Sequence, residues 1–297
     1  MIESTVSTEV GVHRFLPQPE NVRLIATDMD GTLLDTNGAI PSGFWPILDE
    51  LQRRGITFVV ASGRQYHTLV RLFEGREQEI SFIAENGTHV VHKGAEFSTS
   101  PIRRSAALRI IEAVRSHVDQ GHDLGAVWCG GGSAYVERTD AAFLREADLY
   151  YARLATVDRF EDAPEDALKL AIFATGSADD PELKDLRSSC APCQVVVSAQ
   201  HWIDIMPPDI NKGVALAAMQ HRLSITPDET VVFGDYLNDL EMLDVASNSF
   251  AMANAHPEVR VRARYVAPPN SAHGVLRVLA ELVDNGSLAC ADESAVA

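Results

Sequence analysis

Short apolar runs that stop abruptly at clustered polar residues recur at both ends of this chain, and its middle reads differently. VRLIAT runs straight into DMDGT and TFVVA into SGR, and about 200 residues after the first run VVF leads into GDYLND. Runs this short, rich in β-branched residues and nearly continuous in apolar character, suit strands of a parallel sheet covered on both faces. The spacing predicts strands over 22–27, 56–61 and 81–84, with helices over 42–54 and 65–73 between them. That alternation is the pattern of an α/β core.

After Asn86-Gly87 the texture changes. Alternation over 88–97 predicts a hairpin turning at Lys93-Gly94, followed by a helix over 103–119. Strands are expected over 124–129, 134–137, 168–174, 194–198 and 202–205, with helices over 141–150 and 181–188. The glycines at 130–132 read as a plain hairpin turn in preference to a loop over a site. From Asn211 the first pattern returns, with helices over 212–222, 237–246, 257–262 and 273–283 around strands 230–233, 249–252 and 265–267. The fold class expected is therefore α/β. A Rossmann-like core with a parallel sheet, discontinuous over 22–87 and 207–285, is split by an α+β insertion over 88–206. Residues 1–21 read as a flexible extension and 286–297 as a frayed tail.

A chain of 297 residues, 46% hydrophobic, can supply a core to each of two units. Its 42 acidic and 25 basic residues leave a formal charge of −17. That field disfavours nucleic acid and anionic membranes as partners. It also repels an anionic substrate, so a phosphate site needs local cations or a metal. The first twenty residues carry acidic groups where a secretory signal needs basic ones, and no run approaches the roughly 18 apolar residues of a membrane span. A cytoplasmic location is the expectation. Cys129, Cys190, Cys193 and Cys290 make no disulfide framework in such a chain, and the CxxC pair Cys190/Cys193 lacks the second pair of a zinc site.

Asp28 and Asp30 are placed at the carboxyl end of a buried strand, where open α/β sheets bind ligands. Taken alone, DxD reads equally well as a turn cap. Asp235 and Asp239 follow another apolar strand, and four carboxylates converging on neighbouring strand ends suggest a hard, oxygen-seeking cation such as Mg²⁺. Ser62-Gly63-Arg64 and Lys212-Gly213 add a hydroxyl, backbone amides and an ammonium, groups able to hold a phosphoryl anion. Singly, Ser62 reads as a helix cap and Lys212 as a solvated charge.

In order and context these segments resemble the four signature motifs of the haloacid dehalogenase (HAD) superfamily. DMDGTLLD resembles the first, ASGR the second, NKG the third and GDYLNDLEM the fourth. The resemblance is to the Cof-like members with the larger α/β cap, subclass IIB, and AENG, WIDIMP and AMANAHPEVRVRA extend it over residues 22–283. His273 stands where these relatives often carry an acidic residue.

The resemblance implies a Mg²⁺-dependent phosphoric monoester hydrolase acting through an aspartyl-phosphate. Asp28 is then the nucleophile and Asp30 the acid/base. The metal is implied on Asp28, the Asp30 main-chain carbonyl, Asp235 and, directly or through water, Asp239. Ser62, Gly63 and Lys212 are implied as phosphate-binding, with Lys212 also pairing with Asp28. Asn238 orients the site, Thr32 caps the turn after Asp30, and Arg64 and Asn86 support from behind. The insertion lies after the second motif, and Asp30 and Ala61 are only 31 positions apart. Hydrolysis is therefore favoured over the phosphomutases, whose cap lies between the first two motifs. The expected substrate is a small phosphorylated metabolite, with sugar phosphates favoured and pyridoxal phosphate, flavin mononucleotide or another nucleotide left open. A non-catalytic phosphometabolite-binding module is the alternative of another class. A monomer or homodimer is expected.

Overall fold

β1 (Leu24–Thr27) lies at the centre of an eight-stranded sheet, fully buried along its length. Its neighbours come from opposite ends of the chain. β2 (Thr57–Ala61) pairs on one side and β12 (Thr230–Gly234) on the other, both parallel to it. β3 (Ser81–Ala84) continues the parallel order beyond β2, and β13 (Asn248–Met252) and β14 (Tyr265–Ala267) continue it beyond β12. The computed structural model describes residues 21–73 and 75–284, so all but the last residue of the expected N-terminal extension, the tail and Cys290 lie outside the described residues.

The predicted hairpin forms as β4 (His89–His92) and β5 (Ala95–Thr99), but its place differs from the expectation. It pairs antiparallel with β3 and completes the first sheet as the order β14-β13-β12-β1-β2-β3-β4-β5. The sequence boundary at residue 88 therefore falls inside this sheet. A hairpin's alternation is the same whichever sheet edge receives it, so periodicity could not assign it.

Helices α1 (Phe44–Arg53) and α2 (Tyr66–Leu72) pack on β2 and β3 through an aromatic cluster. Phe44 sits 5.1 Å from Phe58 and 6.1 Å from Phe73, and Phe73 is 5.8 Å from Phe82, centroid to centroid. Tilted and edge-on geometries match the ring quadrupoles. α6 (Lys212–Leu223), α7 (Leu240–Asp244), α8 (Pro257–Arg262) and α9 (Gly274–Asp284) complete the layers. Where one helix was expected over 237–246, a single tight turn at Leu237–Asp239 precedes α7.

The second sheet has the order β10-β11-β9-β6-β7-β8. Its strands are β6 (Leu124–Cys129), β7 (Ala134–Val136), β8 (Leu154–Thr156), β9 (Lys169–Ala174), β10 (Gln194–Ala199) and β11 (Trp202–Met206). Alternate residues face opposite sides. Leu124, Ala126, Trp128, Leu170 and Ile172 pack with Ile110 and Val114 of α3 (Arg104–Asp119) and Leu186 of α5 (Lys184–Ser189). Val127, Cys129, Ala171 and Phe173 pack with Phe143 and Ala147 of α4 (Ala141–Tyr150). β8 was not foreseen, because three edge residues paired only to β7 leave no periodic signal. The glycines 130–132 do form the β6–β7 turn, where Glu165 accepts from the Gly132 N–H at 2.7 Å. Cys190 and Cys193 are free thiols, and burial pushes Cys190 up to about 11. Among the described residues no helix is long and apolar enough to cross a membrane.

Phe44 is completely buried at the meeting point of α1, β2 and α2. Phe44→Ala is expected to cost about 3–5 kcal/mol of stability through the cavity it leaves. Chemical denaturation should show a lowered midpoint at unchanged slope.

Candidate active site

Register brings the motif residues together before any side chain is considered. Thr27 lies level with Phe233 across β1 and β12, and with Val60 across β1 and β2. The chain therefore leaves these three adjacent strands at Asp28, Ser62 and Asp235, all at the carboxyl edge. β1 is also where the chain order reverses, the usual crevice for ligands in such sheets. The Asp28 N–H donates to Phe233 O at 3.0 Å, fixing the first carboxylate against the neighbouring strand end.

After Asp28 the backbone makes one wide turn, with Leu33 N–H reaching Asp28 O and Leu34 N–H reaching Met29 O. Gly31 in this turn has φ +78°, and a Cβ there would lie 2.3 Å from Asp235 Oδ2. Glycine alone satisfies both the left-handed backbone and this close approach.

Lys212 is completely buried, and its ammonium donates to Asp28 Oδ1 at 2.6 Å and Asp239 Oδ1 at 2.7 Å. The NKG motif sets it there. Asn211 caps α6 by accepting from Val214 N–H at 2.8 Å, so Lys212 opens the helix. Gly213 lets α7 approach, since a Cβ would meet Glu241 O at 2.3 Å. Burial opposes the lysine's charge, but the carboxylates of Asp239 and Asp28 outweigh it and hold Lys212 protonated. Burial likewise pushes Asp28 well above the usual carboxylate range, against the pull of Lys212. Asp235 is pushed up to about 6 by burial, with Asp239 adding repulsion and the Thr32 hydrogen bond opposing.

The remaining predicted residues fall around this pair. Arg64 clasps Asp30 with two bonds, Nε to Oδ2 at 2.7 Å and Nη2 to Oδ1 at 2.5 Å, and the Asp30 side chain is otherwise 57% exposed. Thr32 does not cap the turn after Asp30. Its hydroxyl donates to Asp235 Oδ1 at 2.8 Å, because the wide turn aims it across the sheet end. Ser62 is buried, and its Oγ accepts from Arg64 N–H at 3.2 Å, which leaves its own O–H free to donate. Asn238 donates to Asn86 at 3.0 Å, joining the ends of β3 and β12 behind Gly63.

Carboxylate oxygens of Asp28, Asp235 and Asp239 lie within 4.8 Å of one another, and such an all-oxygen set fits a hard divalent cation. Their engagement differs. Among the described residues Asp28 and Asp235 each keep Oδ2 without a hydrogen-bond donor, whereas Asp239 accepts from Lys212 on one oxygen and from the Asp235 and Tyr236 amides on the other. Asp239 thus chiefly anchors the lysine and the turn after β12.

Two buried charges beside the site were not foreseen. Glu85, 1% exposed, and Lys169, from the second sheet, meet at 2.7 Å next to Gly63. Glu85 stands inside the AENG segment of the family resemblance, where no role was read for it, and a lone lysine in an apolar strand gave no signal. Separately, a cleft of about 310 Å³ between Tyr66, His67 and His89 on one side and Gly131, Gly132 and Arg153 on the other includes none of the carboxylates above.

Comparison with known proteins identifies the family. Residues 25–279 match the family model of the haloacid dehalogenase-like hydrolases. The 5-amino-6-(5-phospho-D-ribitylamino)uracil phosphatase of Escherichia coli K12 is 34% identical over 262 residues, covering 87% of this chain and 95% of that one. The HMP-PP phosphatase of Cronobacter sakazakii is 28% identical, with 80% and 86% covered. A crystal structure from Streptococcus mutans UA159 superposes with a TM-score of 0.77 at 30% identity, over 88% of this chain and 98% of that one. A HAD subclass IIB sugar phosphatase shares the fold, with a TM-score of 0.73 at 20% identity over 88% and 98%. The chain belongs to the haloacid dehalogenase-like hydrolase family, among its capped phosphatases.

Proposed function

We propose that this enzyme hydrolyses the phosphomonoester of a small metabolite, a sugar or sugar-alcohol phosphate by preference, in two displacements through a phosphorylated Asp28. The observation that carries the reading is the buried Lys212, which occupies one oxygen of Asp28 and leaves the other without a donor beside Asp235. The preference for polyhydroxylated leaving groups rests on the relative that acts on a phosphoribitylamino-uracil.

In the first displacement Asp28 Oδ2 attacks phosphorus, the bond to the leaving oxygen breaks, and Asp30 gives that oxygen a proton. In the second, Asp30 takes a proton from water as the water oxygen attacks phosphorus and the bond to Asp28 breaks. Ser62 O–H and the loop amide beside it bind phosphoryl oxygens, and the Lys212 ammonium offsets charge that builds on them. The Arg64 clasp aims the exposed Asp30 carboxylate. Asp28, Asp235 and the Asp30 carbonyl are assigned to Mg²⁺, with Asp239 behind them. The ion would neutralise the repulsion between clustered carboxylates and a phosphate dianion. The second unit is assigned the choice of leaving group. It meets the core through Gln65, which donates to Arg153 O and accepts from its N–H, both at 3.0 Å, and through Thr68, which donates to Tyr150 O at 2.8 Å.

The test is phosphate release across a panel of phosphorylated sugars, sugar alcohols, pyridoxal phosphate and flavin mononucleotide. Asp28→Asn is expected to lower kcat on every substrate by at least about three orders of magnitude while the protein stays folded, because an amide is no nucleophile. Comparable turnover by the purified variant would overturn the assignment.

Stripping divalent ions with a chelator should likewise abolish hydrolysis. Mg²⁺ restores it, Mn²⁺ or Co²⁺ restores part, and the larger, loosely coordinated Ca²⁺ inhibits. Full activity in excess chelator would remove the metal from the scheme.

A further inference from the structure

Lys169 is the point where the second sheet reaches into the phosphate-binding loop of the first. It lies at the start of β9, it is 4% exposed, and its ammonium donates to the Gly63 carbonyl at 3.0 Å. The same ammonium lies 2.7 Å from Glu85 Oε2 and 3.5 Å from Asp204 Oδ2. Asp204 belongs to β11, the strand beside β9, so it travels with the lysine. Gly63 and Glu85 belong to the core.

The core side of this contact is tied to the loop as well. Glu85 N–H donates to Arg64 O at 3.1 Å, and Asn86 N–H donates to Ser62 O at 3.0 Å. Glu85 and Asn86 have φ of 49° and 57°, a left-handed pair of non-glycine residues that these bonds hold in place. Glu85 is 1% exposed, and among the described residues its carboxylate has no partner apart from Lys169. A buried carboxylate in that position is costly unless a cation meets it.

Peptide planarity connects the lysine to the chemistry. The Gly63 carbonyl and the Arg64 N–H belong to one planar unit, so fixing the oxygen fixes the direction of the N–H. That N–H donates to Ser62 Oγ at 3.2 Å, and the Arg64 side chain clasps Asp30. One ammonium from the cap therefore orients the peptide that aims the serine hydroxyl and carries the arginine.

We propose that Lys169 is a positioning residue that couples contact between the two units to the shape of the phosphate-binding loop. When the units meet, Lys169 neutralises Glu85 and fixes the Gly63-Arg64 peptide. When they part, Asp204 keeps the lysine company, Glu85 meets water, and the peptide loses its anchor. The catalytic side of the inference rests on the assignment of Ser62 and Gly63 to phosphate binding.

Lys169→Met leaves Glu85 and Asp204 buried without a cation, so the decisive protein is the triple variant Lys169→Met/Glu85→Gln/Asp204→Asn, which removes all three charges. Two measurements are made on it and on the wild type: amide hydrogen exchange over residues 61–66, and hydrolysis of p-nitrophenyl phosphate with inhibition by inorganic phosphate. The triple variant is expected to melt near the wild type yet exchange faster over 61–66, with kcat lowered about 10- to 100-fold and weaker phosphate inhibition. Lys169→Arg, which keeps a donor and a charge, should recover part of the loss. Exchange over 61–66 unchanged from wild type overturns the proposal whatever the activity, since the lysine would then only join the two units. A wild-type protein inert towards every phosphomonoester would instead sink the phosphatase reading, and loop exchange would still judge Lys169.

Discussion

A single buried ammonium holds the carboxyl edge of the central sheet together. Without Lys212, Asp28 and Asp239 would face one another inside the protein, a costly arrangement at any effective dielectric typical of interiors. With it, two carboxylates from strand ends separated by about 200 residues of sequence share one cation. Everything around the lysine serves its position. Asn211 starts its helix, Gly213 admits the neighbouring helix, and the Asp235 and Tyr236 amides hold the far oxygen of Asp239. The oxygens this network leaves without donors among the described residues, on Asp28 and Asp235, are the ones the proposed reaction and metal site use.

The division of labour between the two sheets follows from their construction. The first is parallel through its centre, so its strand ends gather on one edge and concentrate polar groups there. The second is antiparallel except for the β7–β8 pair and is covered by helices on both faces. It contributes backbone and a few side chains at the seam: Arg153 and Tyr150 through their main chains, and Lys169 through its ammonium. A core that handles phosphate and a cap that touches it at few points can change the cap's lining without disturbing the strand ends.

Much of this was legible in the sequence where local pattern and physics coincide. The apolar runs marked the central strands because a strand buried on both faces has almost no polar positions to spare, and the abrupt change to carboxylates marked their ends. Asn211-Lys212-Gly213 could be read because cap, charge and close approach leave little choice of residue. Hairpin 89–99 could not be assigned to a sheet, since edge pairing is a tertiary decision. The role of Thr32 was misread for the same reason, as its partner Asp235 lies 203 residues away. Lys169 was silent as a single charge in an otherwise ordinary strand, and Glu85, although inside AENG, had no readable role, because their meaning exists only in the contact between them.

The position of β1 bears on how the chain can assemble. One of its edges is satisfied early by β2, but the other waits for β12, which is made only after the whole intervening unit. A nascent chain that has emerged through the second sheet therefore presents a bare, mostly apolar strand edge, the kind of surface on which chains pair wrongly. Long-range closure of this sort is also slow, because loop entropy must be overcome before the pairing is rewarded. The second sheet has its own strand pairing and its own apolar clusters, and once these are formed the effective loop between β2 and β12 is shorter than the sequence between them.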